Sequence, residues 1–517
     1  MIRRLLSNRY IRILLWGFIT LVTLVVLLFV WTNWSGRRRW AATKAMIERE
    51  GEKLDFRKLL PETPPDAENL LAIEPLRGIT EAVDHDEDKG EPGAKRKALA
   101  AMKLNTMAPA SLGVEKGQAT DMQTWATYLR ESKFLDLPTE SVAPGKEVLA
   151  ALDAQFPVLK QLADLAPHRS QAIFTPGLRE RELPEMLFSL PLRHYAGAQN
   201  LTRLLCLRAR AALDARQGAQ ALRSLLAAEK IAHACEAEPL LIGLLVGLSM
   251  ETAVNEVVWV GLREKVFTDT ELQELQSMIS AHDIAKVCLQ AFRGELACAV
   301  TSMDYMKDVA AGKKQSGPRF IEVFGSEERS PSLRMLNAVP GGFFDHSMSV
   351  LAEVEWRHVI SPLRQGGVTA AVKAAEEVRT EFKDNENFWL HPDYIMASMA
   401  VPSVTPVNAS AALVQAREQQ VLAAIALERF FLKHAKYPAA LHELAPEFTP
   451  AVPQDPWDGR EMHYRTTAAG RYTLWCVGMD GKDDGGQVNK NGVAMRSHMY
   501  LGDWTWQYEP VETGSKK

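Results

Sequence analysis

The chain is poor in the features that most often reveal a chemistry. Its five cysteines (Cys206, Cys235, Cys288, Cys298 and Cys476) are odd in number, scattered, and contain no Cys-x-x-Cys pair. Four of them lie in apolar helical sequence, where a free cysteine packs as a small hydrophobe. That pattern speaks against a disulfide framework and against a zinc knuckle. There is no basic excess either. Sixty Lys and Arg against 64 Asp and Glu leave a net charge of −4, whereas a nucleic-acid binder concentrates positive charge on one face. No Gly-x-x-x-x-Gly-Lys-Ser/Thr phosphate loop, no strand-borne Gly-x-Gly-x-x-Gly and no Gly-x-Ser-x-Gly elbow occurs. His442-Glu443 opens like a zinc-protease motif, but Pro446 stands where the second histidine belongs. His346 and His358 are too far apart to form a metal-binding pair on one helix.

The composition is otherwise that of a folded protein. With 47% apolar and 24% charged residues, 517 residues suffice for two to four domains with their own cores. The one long apolar run is Ile13 to Val30, 18 uncharged residues followed by Trp31 and Trp34. As a helix it spans about 30 Å, the thickness of a bilayer core, with tryptophans at the interface. A cleaved signal peptide is the alternative. The run is long for one, and no small-x-small site precedes Ser35-Gly36. Gly17-Phe18 does not make a pilin leader site, because Val22 stands where that pattern needs glutamate. Arginines flank the run on both sides (Arg3, Arg4, Arg9 and Arg12; Arg37, Arg38 and Arg39), which slightly favours a cytoplasmic N-terminus. The expectation is a single-pass protein of a bacterial inner membrane, in contact with the lipid bilayer, with its C-terminal part periplasmic.

After a cytoplasmic segment (1–12) and the membrane helix (13–34), residues 35–60 read as a charged helical stalk ended by Pro61, Pro64 and Pro65. Residues 61–120 hold a short helix carrying Leu70, Leu71, Ile73 and Leu76, then a mixed-charge linker from Asp84 to Lys97. Residues 121–400 are expected to form a helical scaffold of hairpins, repeat-like but without a strict period. Leu201 to Leu213 pairs with Ala221 to Ile231 across Gln217-Gly218. Leu240 to Leu262 is apolar nearly all round and hence buried. Thr268 and Glu271 make a capping box for the next helix. Arg293-Gly294-Glu295 puts charge into this run, as an exposed face or an internal ion pair. Residues 311–342 turn loop-rich before a helix over 343–360. The predicted fold is therefore mainly α, with a small C-terminal α+β module of antiparallel strands over 408–500 and a tail over 501–517.

That module carries the clearest pattern. Val414, Val421, Ile425, Glu428 and Leu432 fall on one helical face, widened by Leu427, Phe430 and Phe431. The helix exits through Tyr437-Pro438. Asp455-Pro456-Trp457-Asp458-Gly459 follows, then Tyr464-Arg465, Gly470-Arg471-Tyr472, and the loop Gly478-Met-Asp-Gly-Lys-Asp-Asp-Gly-Gly486. In this order the motifs resemble the C-terminal part of the type II secretion major pseudopilin, over about 75 residues. The whole ectodomain also resembles large membrane-anchored proteins of planctomycete and verrucomicrobial bacteria, a likeness that brings no activity with it.

The pseudopilin resemblance implies a calcium loop, and here its candidate ligands are Asp480, Asp483 and Asp484. Calcium takes six to eight oxygens, which those carboxylates and nearby carbonyls could partly supply. A solvated turn is the alternative. Cys476 replaces the family's loop serine, and the membrane helix lies far upstream rather than running into the module's helix. These departures point away from a filament subunit. They point toward a non-enzymatic displayed module linked to envelope or secretion proteins. A membrane-anchored hydrolase, with a site of dispersed carboxylates and histidines in the helical region, is the competing expectation.

Overall fold

The computed structural model describes residues 9–62, 64–74, 76, 114, 117–174, 192–315, 339–384, 394, 404–487 and 502–509. It is mainly helical with one small sheet. The first helix, α1 (Arg9–Arg49), is continuous from the apolar run into the ectodomain. Its segment from Ile13 to Val30 is solvent-facing throughout, with no burial in its most apolar window. The other long apolar helix, Leu241–Arg263, is two-thirds buried in its own most apolar window. Only the first shows apolar surface to the outside all round, which makes it compatible with a membrane anchor. The second is a core helix.

Helices α2 (Met122–Glu131), α3 (Pro144–Gln155), α4 (Pro157–Leu165), α5 (Arg193–Asp214), α6 (Gly218–Glu236) and α7 (Leu241–Arg263) form the helical array. The next two are α8 (Asp269–Ser280) and α9 (Ile284–Ala310). Local sequence sets their starts. Asp121 accepts the Thr124 amide at 2.6 Å, Pro144 and Pro157 occupy first helical positions, and Thr268 and Glu271 cap α8 reciprocally as expected. Then come α10 (Gly341–Glu355), a π-helical turn (Trp356–Ile360) and α11 (Ser361–Asp384), which Gly367 kinks at a φ of 69°. The last helix, α12 (Val404–His434), lies against α7, α8 and α11.

The sheet is antiparallel, in the order β1 (His463–Thr466), β2 (Tyr472–Cys476), β3 (Trp504–Trp506). Tyr464 faces Leu474, and Leu474 faces Trp506. β2 is buried on both sides and meets α12. Glu428 of α12 accepts hydrogen bonds from the hydroxyls of Tyr437 (2.9 Å) and Tyr472 (3.2 Å), and Gln420 donates to the Trp504 carbonyl. One apolar core runs unbroken from Leu70 through the array and α12 to Tyr508, so scaffold and module share it. A second core, around Ile47, Leu296, Phe344 and Leu351, joins α1 to α9 and α10.

Several local expectations are corrected. The stalk helix stops at Arg49, where Gly51 takes a φ of 87°, and only a 3-10 turn (Phe56–Lys58) follows before the prolines. Asn69 forms an isolated bridge to Gln171, and residues 70–74 and 76 are turns and bends rather than a helix. Asn69 Oδ1 accepts the amides of Leu71 (3.1 Å) and Ile173 (3.0 Å), taking a donor that a helix would use. The internal ion pair expected at Arg293-Gly294-Glu295 is, by contrast, present: within an unbroken α9, Arg293 forms a bidentate pair with Glu52, and Gly294 lies against the Pro239 carbonyl. The helix expected over 343–360 ends at Glu355 and passes into the π turn. Leu432, assigned to the packed stripe, is 54% exposed. The third strand lies beyond residue 500, in the segment read as a tail. The linker from Asp84 to Lys97 lies outside the described residues.

The join between anchor and ectodomain is tight. A Cβ on Gly36 would stand 2.3 Å from the Gly342 carbonyl oxygen, and one on Gly342 would stand 2.1 Å from that of Thr32. Asn33 accepts the Gly342 amide at 2.7 Å, Ser35 Oγ lies 3.0 Å from His346 Nε2, and Glu353 takes both Arg39 (2.9 Å) and Thr43 (2.6 Å). Gly36→Val should therefore cost about 1–3 kcal/mol through overpacking, read as a lowered melting temperature of the full-length protein in detergent. Gly17→Val, where nothing lies within 4 Å, should leave that temperature unchanged.

Candidate metal centre

Helix α6 places Glu229, His233 and Glu236 at spacings of four and three, on one face. The neighbouring α7 contributes Glu251, one turn beyond Gly247. Gly247 is glycine for a reason of space: a Cβ there would lie 2.2 Å from Glu236 Cγ. His282 comes from the turn between α8 and α9. Its position is fixed by Asp283, whose carboxylate accepts the Lys286 amide at 3.0 Å and caps α9. Glu418 arrives from α12.

These six side chains converge inside the array. His282 Nε2 lies 2.9 Å from Glu236 Oε2, and its Nδ1 lies 2.8 Å from Glu418 Oε1. His233 Nε2 lies 3.4 Å from Glu251 Oε1 and 3.7 Å from Glu229 Oε1. The two imidazoles stack with centroids 4.6 Å apart. One donor atom from each of His233, Glu236, Glu251 and His282 falls within 4.8 Å of the other three. Glu229, Glu236 and Glu251 are each 2% exposed or less. The His282 side chain is 3% exposed, while His233 shows 35% of its side chain to solvent yet covers its Nε2 completely. His233 is thus the member that separates the centre from water.

Electrostatics mark the centre as one that wants a cation. Burial pushes Glu229 up to about 8 and Glu251 well above the usual carboxylate range, with neighbouring carboxylates adding to it. Burial likewise raises Glu418, against the hydrogen bond from His282. Burial and the neighbouring His282 lower His233 to about 3. Burial also pulls His282 down, but its bonds to Glu236 and Glu418 outweigh that and carry it to about 12. Without a metal, an imidazolium at His282 thus stands in as the local cation. It does not satisfy the cluster. Glu229 Oε2, His233 Nε2, Glu236 Oε1 and Glu251 Oε1 are all buried with no N–H or hydroxyl donor against them, and the two raised acids Glu229 and Glu251 have only each other as carboxyl partner. Such orphaned atoms are costly in an interior and call for an explanation.

A divalent cation supplies one. Imidazole nitrogen with carboxylate oxygen suits zinc, iron or manganese, whereas calcium prefers an all-oxygen shell. Metal–ligand bonds of about 2.1 Å place neighbouring donors roughly 3–3.5 Å apart, which the 2.9 and 3.4 Å contacts match. Glu418 then takes the outer role, accepting Nδ1–H of His282 and fixing the tautomer that turns Nε2 inward.

The residues singled out from sequence lie elsewhere, in the loop after β2. Asp480 accepts the amides of Lys482 (3.1 Å) and Gly502 (3.3 Å). Asp483 accepts Trp475 Nε1 and the Gly485 amide, both at 2.9 Å, and these bonds lower its pKa. Asp484 gives its amide to Asp503, which also holds Gly486 at 2.7 Å. The three aspartates share one loop, joined by Asp503, a residue the sequence reading missed. Both Asp480 oxygens and Asp483 Oδ1 accept backbone amides, while Asp483 Oδ2 faces His463 at 3.6 Å. The helical centre was missed because its members are spread from residue 229 to residue 418. Two signals for it existed: the Glu229-x3-His233-x2-Glu236 spacing, and Glu251 closing the uncharged run from Leu240 to Met250 that opens α7. Neither the 520 Å³ cleft beside Trp40 and Tyr305 nor the 290 Å³ cleft beside Arg210 and Arg263 touches the centre.

No known protein family, characterised protein or solved structure matches the chain.

Because Gly247 makes room for Glu236, Gly247→Ala should push that carboxylate aside and lower stability by about 1–3 kcal/mol. Thermal unfolding followed by far-ultraviolet circular dichroism reads this directly. A melt identical to that of the parent would contradict the packing described.

Proposed function

We propose that the chain is a single-pass, membrane-anchored metalloprotein whose helical ectodomain binds divalent first-row metal at the Glu/His centre. The observation that carries this reading is the convergence of four carboxylates and two imidazoles around buried, unpartnered donor atoms. The anchor reading is supported by α1 itself, since its residues 32–47 are built into the ectodomain through Gly342, His346 and Glu353. Cleavage as a signal peptide before Ser35 would remove Thr32 and Asn33, which pack against Gly342. A centre sealed by its own side chains suits a structural ion, because structural sites are closed and catalytic ones keep an open position.

The C-terminal α+β module would then be displayed from a metal-stiffened scaffold at the outer face of the inner membrane. A link to envelope or secretion partners rests on the pseudopilin resemblance of the sequence, as does calcium at Asp480, Asp483 and Asp484. A membrane-anchored hydrolase is the second reading. It is favoured by the exposed edge of His233, beside which a metal-bound water could meet substrate.

The full-length protein purified in mild detergent should retain zinc, iron or manganese by elemental analysis. Chelation should lower its melting temperature, and refilling should restore it. An ion at a hundred times its Kd stabilises the native state by about 2.7 kcal/mol. His282→Ala should abolish both the metal and the response. Calcium added to the chelated protein tests the loop separately, with Asp480→Ala as its control. Protein that holds no transition metal, and melts identically with and without added ions, would remove the metalloprotein reading.

A further inference from the structure

We infer that the centre takes a pair of divalent first-row ions, bridged by carboxylate, rather than a single ion. The inference rests on the metalloprotein reading above and extends it.

The donors fall into two groups, each built on one imidazole. His233 Nε2 faces Glu251 at 3.4 Å and Glu229 at 3.7 Å, while His282 Nε2 faces Glu236 at 2.9 Å. The imidazoles stack with centroids 4.6 Å apart, so the two groups are immediate neighbours. Glu251 belongs to the first group and also lies within 4.8 Å of donors from Glu236 and His282, which is where a bridging carboxylate must sit.

The burial of Glu229 favours the same count. A single four-coordinate ion held by His233, Glu236, Glu251 and His282 leaves the buried Glu229 outside its shell. A second ion between His233, Glu229 and Glu251 takes it in. Glu418 remains outside the coordination shell, holding His282 Nδ1–H at 2.8 Å.

The test counts ions on the full-length protein in detergent. Asp480→Ala and Asp483→Ala are introduced first so that the C-terminal loop does not contribute. The protein is stripped with chelator and titrated with manganese alone. Bound metal is measured after removal of excess, alongside the electron paramagnetic resonance spectrum. The expected result is two manganese ions per chain with a spin-coupled spectrum, falling to one uncoupled ion in Glu229→Gln. One uncoupled ion in the parent would overturn the pair and leave the single-metal reading standing. No bound manganese, together with no transition metal in the protein before stripping, would overturn both. If Glu229→Gln does not fold, the count and spectrum of the parent decide the matter alone.

Discussion

The constraint on which this structure turns is the cost of carrying Glu229, Glu236, Glu251 and Glu418 inside an apolar helical array. Desolvating even one carboxylate is unfavourable by several kcal/mol unless something compensates it. An array built only for packing would carry leucine or alanine at these positions, as it does at Leu225, Ala228 and Ala232 on the same helix. The surrounding architecture accommodates the acids at specific points. Gly247 opens space for Glu236, Asp283 sets the turn that presents His282, and α12 brings Glu418 to the far nitrogen of that imidazole. A centre so provided for is a built feature of the fold, and a cation is the compensation its chemistry asks for.

That centre also explains how distant parts of the chain are held together. α12 carries Glu418 to the centre and, three turns on, Glu428 to the hydroxyls of Tyr437 and Tyr472. Arg429 on the same helix reaches Asp269 of α8 at 2.8 Å. Trp259 of α7 donates its indole N–H to the Gln507 carbonyl at 3.0 Å. The C-terminal sheet is therefore not a bead on a linker. It shares the core of the array, and the helix that supports it is one wall of the charged centre.

The coarse fold was legible in the sequence because periodicity and capping act locally. The apolar run of α1, the Gln217-Gly218 turn, the all-apolar stretch of α7 and the Thr268–Glu271 box each need only their near neighbours to be read. The errors fall where a distant partner decides. Asn69 abandons a helix because Ile173 competes for its side chain. Leu432 was placed on the packed stripe of α12, yet it is 54% exposed. The site was illegible for the same reason. Glu229, Glu251, His282 and Glu418 have no sequence motif in common, and only tertiary packing brings them together. The loop that did show a motif, around Asp480 and Asp483, turns most of its carboxylate oxygens to backbone amides.

Helix α9 gives the last connection, between the anchor and the centre. It begins at Ile284, two residues after His282, and its 27 residues extend about 40 Å. Along that length Arg293 pairs with Glu52, just beyond the end of α1, and Lys307 pairs with Asp345 of α10. Helix α10 in turn grips α1 where it leaves its apolar segment, through Gly342 and Asn33. The Glu/His centre and the anchor's exit are thus braced by one continuous helix rather than by a flexible stalk. Because α1 stops at Arg49 and folds back through Glu52 onto α9, the helical array is held against the base of the apolar segment. The array is fixed relative to that segment by the same helix that begins at its charged centre.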